Sequence, residues 1–131
     1  MEHFIIEQGS RFDMDKTVET ILQTAIRKGW SNPATHDLQQ SLAKSGKHVK
    51  PVKVIEICKP EYSGKMLELN DERIISVMMP CRISIYEKNN GKTYVSILNS
   101  GLMTQGVTDS VAKAIQGAFD ESMEIIRSVV D

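Results

Sequence analysis

The chain has no long apolar run and almost no net charge, and each shortage excludes a class of function. Nothing in its 131 residues approaches the roughly 20 consecutive apolar positions of a membrane-spanning helix. Its start, Met1-Glu2-His3-Phe4-Ile5-Ile6-Glu7, has neither the basic opening nor the apolar segment of a secretory signal, so a cytoplasmic location is expected. Sixteen Lys and Arg against 17 Asp and Glu leave a net charge of −1, and the basic residues are scattered. A nucleic-acid partner is therefore not expected, because the electrostatic footprint it needs is missing. Only 2 cysteines are present, and in a reducing compartment they read as free thiols before they read as a structural disulfide. There is no phosphate loop, Ser/His/Asp set, paired-carboxylate site or dinucleotide fingerprint, so no reaction can be named and enzyme status stays open. Glu56 and Glu87 are lone carboxylates on strands that solvation explains.

What is present suffices for one domain spanning residues 1–131. The composition, 40% hydrophobic and 25% charged, is that of a soluble globular protein. Of the seven methionines Met1 is only the start, and the other six fall at unrelated spacings, as flexible core fillers do.

The clearest local unit runs from Met79-Pro80-Cys81-Arg82 through Ile83-Ser84-Ile85-Tyr86-Glu87, turns at Asn89-Asn90-Gly91 and returns through Thr93-Tyr94-Val95-Ser96-Ile97. A two-residue Asn90-Gly91 turn would pair Ile85 with Ser96 and mix the faces. A three-residue loop, a type I turn with Gly91 in a bulge, pairs Ile83 with Ile97 and Ile85 with Val95. It also places Tyr86 beside Tyr94 and Ser84 beside Ser96. One face becomes apolar and the other polar-aromatic, as a half-buried sheet requires, so this register is predicted.

Around the hairpin, Phe4-Ile5-Ile6 reads as a first strand. Val18, Ile21, Leu22, Ala25 and Ile26 keep the period of a helix burying one face, with Asp13 or Asp15 as cap and Gly29 as left-handed stop. Trp30-Ser31-Asn32 reads as a brief strand closed by Pro33. A smaller helix is expected over residues 35–45, capped by Thr35, with Leu38 and Leu42 as its apolar stripe and Gly46 at its end. Val52 to Cys58 is a strand ended by Lys59-Pro60. Tyr62 to Leu69 is a short irregular helix, and strand structure is expected from about residue 77 into the hairpin. A final helix begins near Thr108-Asp109 and presents Val111, Ile115, Ala118, Ser122, Ile125 and Val129, widened by Ala114, Phe119 and Ile126. Gly117 within it suggests close approach to a neighbouring strand.

His36 opening a helix, Gly46, Pro51, Cys58-Lys59-Pro60 and Met79-Pro80-Cys81-Arg82 before a strand together resemble domain-of-unknown-function family 302. The likeness runs from Phe4 to the last helix, with Lys59 and Met79 standing where the family pattern commonly has asparagine and leucine. The resemblance implies an α+β fold of β-α-β4-α order like that of the TATA-binding protein. In it a curved antiparallel sheet is gripped by the N-terminal and C-terminal helices, with short extra helices. It implies no DNA binding, no established activity, and small dimers.

Chemistry would have to sit on few residues. Cys81, by parity on the face of Ile83 and Ile85, is either a small buried apolar residue or a functional thiol whose pKa is lowered. Arg82 could lower it but points to the other face. Cys58 ends its strand near the start of the next, so the two thiols could meet at one rim, although parity turns Cys58 away from Ile55 and Ile57. His36, placed in the first turn of a helix, would be held neutral by the helix dipole and suited to metal ligation or base catalysis. Cys58, Cys81 and His36 together would suit zinc or copper. His48 and His3 read as solvated. Tyr86 and Tyr94, with Ser84 and Ser96, suit a dimer interface or a ligand cleft, or form an exposed face with no partner.

These readings predict a small dimeric module for ligand binding or interaction, with a small molecule or a metal ion as further partner and no cofactor identifiable. The alternative is a thiol- or metal-dependent enzyme using Cys81 with His36.

Overall fold

In the computed structural model, which describes residues 3–68 and 70–130, the elements follow the expected order. Strand β1 (Ile5–Gly9) and helix α1 (Met14–Arg27) are followed by β2 (Thr35–Asp37), α2 (Leu38–Ala43), β3 (Val52–Ile57) and α3 (Pro60–Leu67). A 3₁₀ segment (Asn70–Met78) leads to β4 (Cys81–Glu87) and β5 (Thr93–Leu98), and α4 (Asp109–Arg127) ends the fold. The five strands form one sheet in the order β1-β5-β4-β3-β2, every pair antiparallel. With its short extra helices this is the α+β, β-α-β4-α arrangement expected from the sequence. Leu69, the expected last residue of the third helix, lies outside the described residues.

The hairpin has the predicted register: Ile83 pairs with Ile97, Ser84 with Ser96, Ile85 with Val95 and Tyr86 with Tyr94. Lys88 N donates to Lys92 O at 3.0 Å and Gly91 N to Lys88 O at 3.0 Å, closing the loop over Asn89, Asn90 and Gly91. Gly91 has φ +78°, a value that glycine adopts without the steric cost a Cβ would add. Ile83 and Ile85 are fully buried, and Val95 and Ile97 nearly so. With Ile55 and Ile57 of β3 they join Ile21 and Ala25 of α1 and Val111, Ile115, Ala118, Ile125 and Ile126 of α4 in one core. Burying each such side chain contributes about 1.5–3 kcal/mol, which is why alternation and helical stripe fix the layering.

Helix α1 is capped by Asp13, whose side chain accepts from Lys16 N at 2.9 Å, and ends before Gly29 at φ +87°. Its buried stripe differs from the expected one. Thr17, Ile21, Thr24 and Ala25 face inward, while Ile26 is 62% exposed. The threonines can do so because their hydroxyls are satisfied: Thr17 Oγ1 bonds Ser10 Oγ at 2.6 Å and Thr24 Oγ1 donates to Thr20 O at 2.7 Å.

The second strand also departs from expectation. Trp30-Ser31-Asn32 makes only an isolated bridge, Ser31 to Cys58, and pairing resumes at Thr35. Pro33 has no N–H to offer a ladder, and Asn32 Nδ2 occupies the neighbouring acceptors, donating to Ala34 O at 2.9 Å and Glu56 O at 2.7 Å. The expected helix over 35–45 therefore starts at Leu38, capped not by Thr35 but by Asp37, which accepts from Gln40 N at 2.9 Å. This six-residue helix buries none of its residues, so Leu38 and Leu42 form no core stripe. The strand expected from residue 77 is a 3₁₀ turn up to Met78, and the ladder begins at Cys81, after the cis Met79–Pro80 bond. Ile75 turns inward while Ile74 and Val77 stay exposed.

Candidate functional site

Where β3 ends and β4 begins, their terminal ladder pair sets Ile57 opposite Cys81. Beyond it Cys58 bonds back to Ser31, with Ser31 N donating to Cys58 O at 2.8 Å and Cys58 N to Ser31 O at 3.0 Å. The chain then turns at Lys59 and enters α3 through Pro60, which suits a first helical position because its missing N–H would have no partner there. Helix α3 lies along α4, and the gap between the two helices and the strand ends is a cavity of about 50 Å³. Both thiols line it, so the strand end does bring Cys58 and Cys81 to one rim although the parity of β3 would separate them. Both are free cysteines. The 3₁₀ segment and the turn after it add Met78, Met79 and Pro80, α3 adds Tyr62 and Met66, and α4 adds Ile115 and Ala118.

Cys81 is half-buried, and burial, with the neighbouring Cys58 as a lesser cause, pushes its thiol up to about 11. It is therefore protonated near neutrality, the opposite of an activated nucleophile. Cys58 Sγ stands 3.7 Å from Ser63 Oγ.

The cavity is bordered by a group that sequence reading did not find. Glu121 of α4 accepts from Lys59 Nζ at 2.7 Å, Tyr62 OH at 2.5 Å and Trp30 Nε1 at 2.9 Å. Burial alone would raise the Glu121 carboxyl, but the donors from Lys59, Tyr62 and Trp30 outweigh it and hold the carboxyl below its ordinary value. The same contacts act on the partners. The bond to Glu121 raises the Lys59 ammonium, and the Tyr62 hydroxyl is pushed up to about 12 by that bond and by burial. The Trp30 and Tyr62 rings lie with centroids 5.8 Å apart. Gly117 belongs to this group too. A Cβ there would stand 2.7 Å from Tyr62 Cε1, so the close approach anticipated at Gly117 is to a ring of α3, not to a strand. One signal in the sequence pointed here: a lone tryptophan needs an acceptor for its N–H when buried, and Trp30 is 4% exposed.

His36 lies elsewhere. It belongs to β2, opposite Val54, and not to a helix, so the dipole argument for a neutral imidazole does not apply. Its Nε2 is 2.9 Å from Glu56 Oε2, and Arg82 approaches the same oxygen at 3.6 Å. Arg82 thus points away from Cys81, as parity required. His36 is not among the residues lining the cavity, and among the described residues no three His, Cys, Asp or Glu side chains are grouped to hold a metal.

The polar face of the sheet forms its own cluster. Tyr86 and Tyr94 stack with centroids 6.3 Å apart and an interplanar angle of 18°. Tyr86 OH donates to Glu7, Lys88 Nζ reaches the other Glu7 oxygen at 2.7 Å, and Asn90 Nδ2 donates to Tyr94 OH at 2.8 Å. The bonds from Lys88 and Tyr86 lower the Glu7 carboxyl, while burial and that same carboxylate push Tyr86 up to about 12. Sequence reading missed Glu7, because only the pairing of Glu7 with Ser96 carries it to this face. In register across the sheet run Glu7, Ser96, Ser84, Val54 and His36. A broader cleft of about 370 Å³, lined by Ile5, Ser84, Ser96, Leu98, Val77 and Met78 among others, opens beside it and shares Cys81 with the thiol cavity.

The model of one family, Domain of unknown function DUF302, matches residues 6–130. The chain belongs to the DUF302 family. The crystal structure of an uncharacterized conserved DUF302 protein from Bacillus stearothermophilus is similar, with a TM-score of 0.87 and 15% identity over 98% of this chain and 99% of that chain. At that identity the likeness establishes the DUF302 fold and nothing finer. No curated protein matches the chain.

Proposed function

We propose that this DUF302 chain is a small binding module that takes its ligand in the thiol-lined cavity and works as a homodimer through the polar-aromatic face of the sheet. The observation that carries the reading is the cavity itself: mostly apolar walls, two reduced thiols and a border fixed by the Glu121 bonds. At roughly 10–15 Å³ for each water-sized occupant, about 50 Å³ admits only a few heavy atoms, so the ligand is very small or enters by one end. The dimer rests on different support. Stacked tyrosines with polar tips suit an interface, and Ile5, Leu98 and Val77 leave further apolar surface exposed. The reading of a thiol enzyme has less support, since Cys81 is held protonated and His36 is engaged with Glu56.

Xenon, a probe of dry apolar space, tests the cavity. In xenon-equilibrated full-length protein, amide and methyl NMR shifts should move at Ile57, Cys58, Met66, Cys81 and Ile115. Shifts confined to the sheet face, or none, would refute the ligand site. Light scattering on the same sample should give twice the chain mass, and a monomer at all concentrations would refute the dimer.

A further inference from the structure

Five of the residues lining the cavity carry sulfur: Cys58, Cys81, Met66, Met78 and Met79. Among the described residues no histidine, aspartate or glutamate lines it, and its oxygen donors are the neutral hydroxyls of Tyr62, Ser63 and Ser100. Glu121, bonded to the lining residues Trp30, Lys59 and Tyr62, is occupied by those three donors. Such a wall discriminates among metals. Magnesium, calcium and manganese take oxygen, and thiolate sulfur suits zinc, iron–sulfur clusters and copper(I); structural zinc takes four Cys, His or carboxylate ligands where this wall offers two thiols, so thioethers beside a thiol pair fit copper(I) best.

We propose that this cavity binds one copper(I) ion through the sulfur atoms of Cys58 and Cys81, with the methionines of the same wall as weaker thioether ligands. The proposal deepens the binding-module reading and rests on it. Both thiols line this one cavity, Cys58 just past the end of β3 and Cys81 at the start of β4, and the cavity is too small for a hydrated divalent ion that keeps its waters. Loading is a ligand exchange without redox change. Each thiol gives up its S–H proton to solvent, two S–Cu bonds form, and copper remains +1, so the site gains one negative charge in all. Lys59 lines the cavity as well, but its ammonium is paired with Glu121 at 2.7 Å, so that negative charge stays with the site. Because thiols must lose their protons to ligate a metal, binding will strengthen with rising pH.

The test is an anaerobic titration of the reduced full-length protein with copper(I) against a chromophoric copper(I) chelator. The expected result is one ion per chain, about two protons released, and an X-ray absorption spectrum fitted by sulfur neighbours alone. Cys58→Ser and Cys81→Ser should each weaken binding by more than the roughly 10–100-fold typical of losing an outer-shell partner. Met66→Leu and Met78→Leu should weaken it less, and His36→Ala should leave it unchanged. Circular dichroism of the serine variants checks that they fold, and silver(I) thermal shifts provide a second readout on the same variants. Copper left wholly on the chelator, binding that survives loss of both thiols, or binding lost in His36→Ala would each overturn the proposal. If xenon enters the cavity and copper(I) does not bind, the metal assignment alone fails. If neither enters, the binding-site reading fails with it.

Discussion

Replacing Gly117 by alanine should destabilise this protein, although alanine is the better helix former by about 1 kcal/mol. The reason is the ring of Tyr62. An added Cβ would lie 2.7 Å from Cε1, well inside the roughly 3.5–4.0 Å of good carbon–carbon contact, so about 1 Å must be recovered. Tyr62 cannot simply swing aside. Its hydroxyl is held by Glu121 at 2.5 Å, and its ring lies against Trp30 at 5.8 Å between centroids. Overpacking of this kind costs about 1–3 kcal/mol, and a weakened bond to a carboxylate adds about 1.5–3. After the helix-propensity gain, a net loss of about 1.5–5 kcal/mol remains. Urea denaturation of wild type and Gly117→Ala measures it. The cycle is completed by Tyr62→Ala with and without Gly117→Ala. In the absence of the ring the same substitution should become neutral or stabilising by up to about 1 kcal/mol, a reversal of sign. Stabilisation by Gly117→Ala in the wild-type background would refute the claim that Gly117 is there to admit the ring.

Glu121→Gln should cost about 1–3 kcal/mol near neutral pH, because Lys59 loses its charged partner. The native Glu121 carboxyl lies below its ordinary value of 4.5, so its contribution is present above that value and disappears as pH falls through the lower native one. Denaturation curves of wild type and variant should therefore converge on acidification, and a gap that persists at low pH would contradict the assignment. For Cys81, alkylation by iodoacetamide in Cys58→Ser should rise with pH towards a midpoint above that of a free cysteine, because burial, the larger cause of its raised thiol, remains when the contribution of Cys58 is removed. A midpoint at or below that of a free cysteine would show the thiol to be activated.

The hairpin could be read from sequence because local evidence agreed at every level: turn residues, alternation and cross-strand pairs all selected one register. The buried face of α4 was legible for the same reason, its apolar spacing extending over 19 residues. The second strand was not, since its start depends on where Asn32 finds acceptors and on Asp37 outcompeting Thr35 as a cap. The cavity was half legible. The cysteines and their strand ends were visible, but the residues around Glu121 were not, because its partners lie 59, 62 and 91 residues away in the chain. Helical periodicity places Glu121 beside the stripe of α4 without saying what it will meet.

The position of β1 has a consequence for how safely the sheet can be handled. Residues 5–9 are what lies against the outer side of β5, joined by the pairs from Ile5–Leu98 to Gly9–Tyr94. The strand so covered reads Thr-Tyr-Val-Ser-Ile-Leu, six residues with no charge, no proline and strong preference for extended structure. Closing that pair spans about two-thirds of the chain, so it is a late and entropically costly step, while the β4–β5 hairpin is local. Whenever β1 detaches, an uncharged row of N–H and C=O groups becomes a template for another molecule. The first strand is in effect a guard against fibre formation, and a nick in the loop that carries it would turn a monodisperse solution into a seeding one.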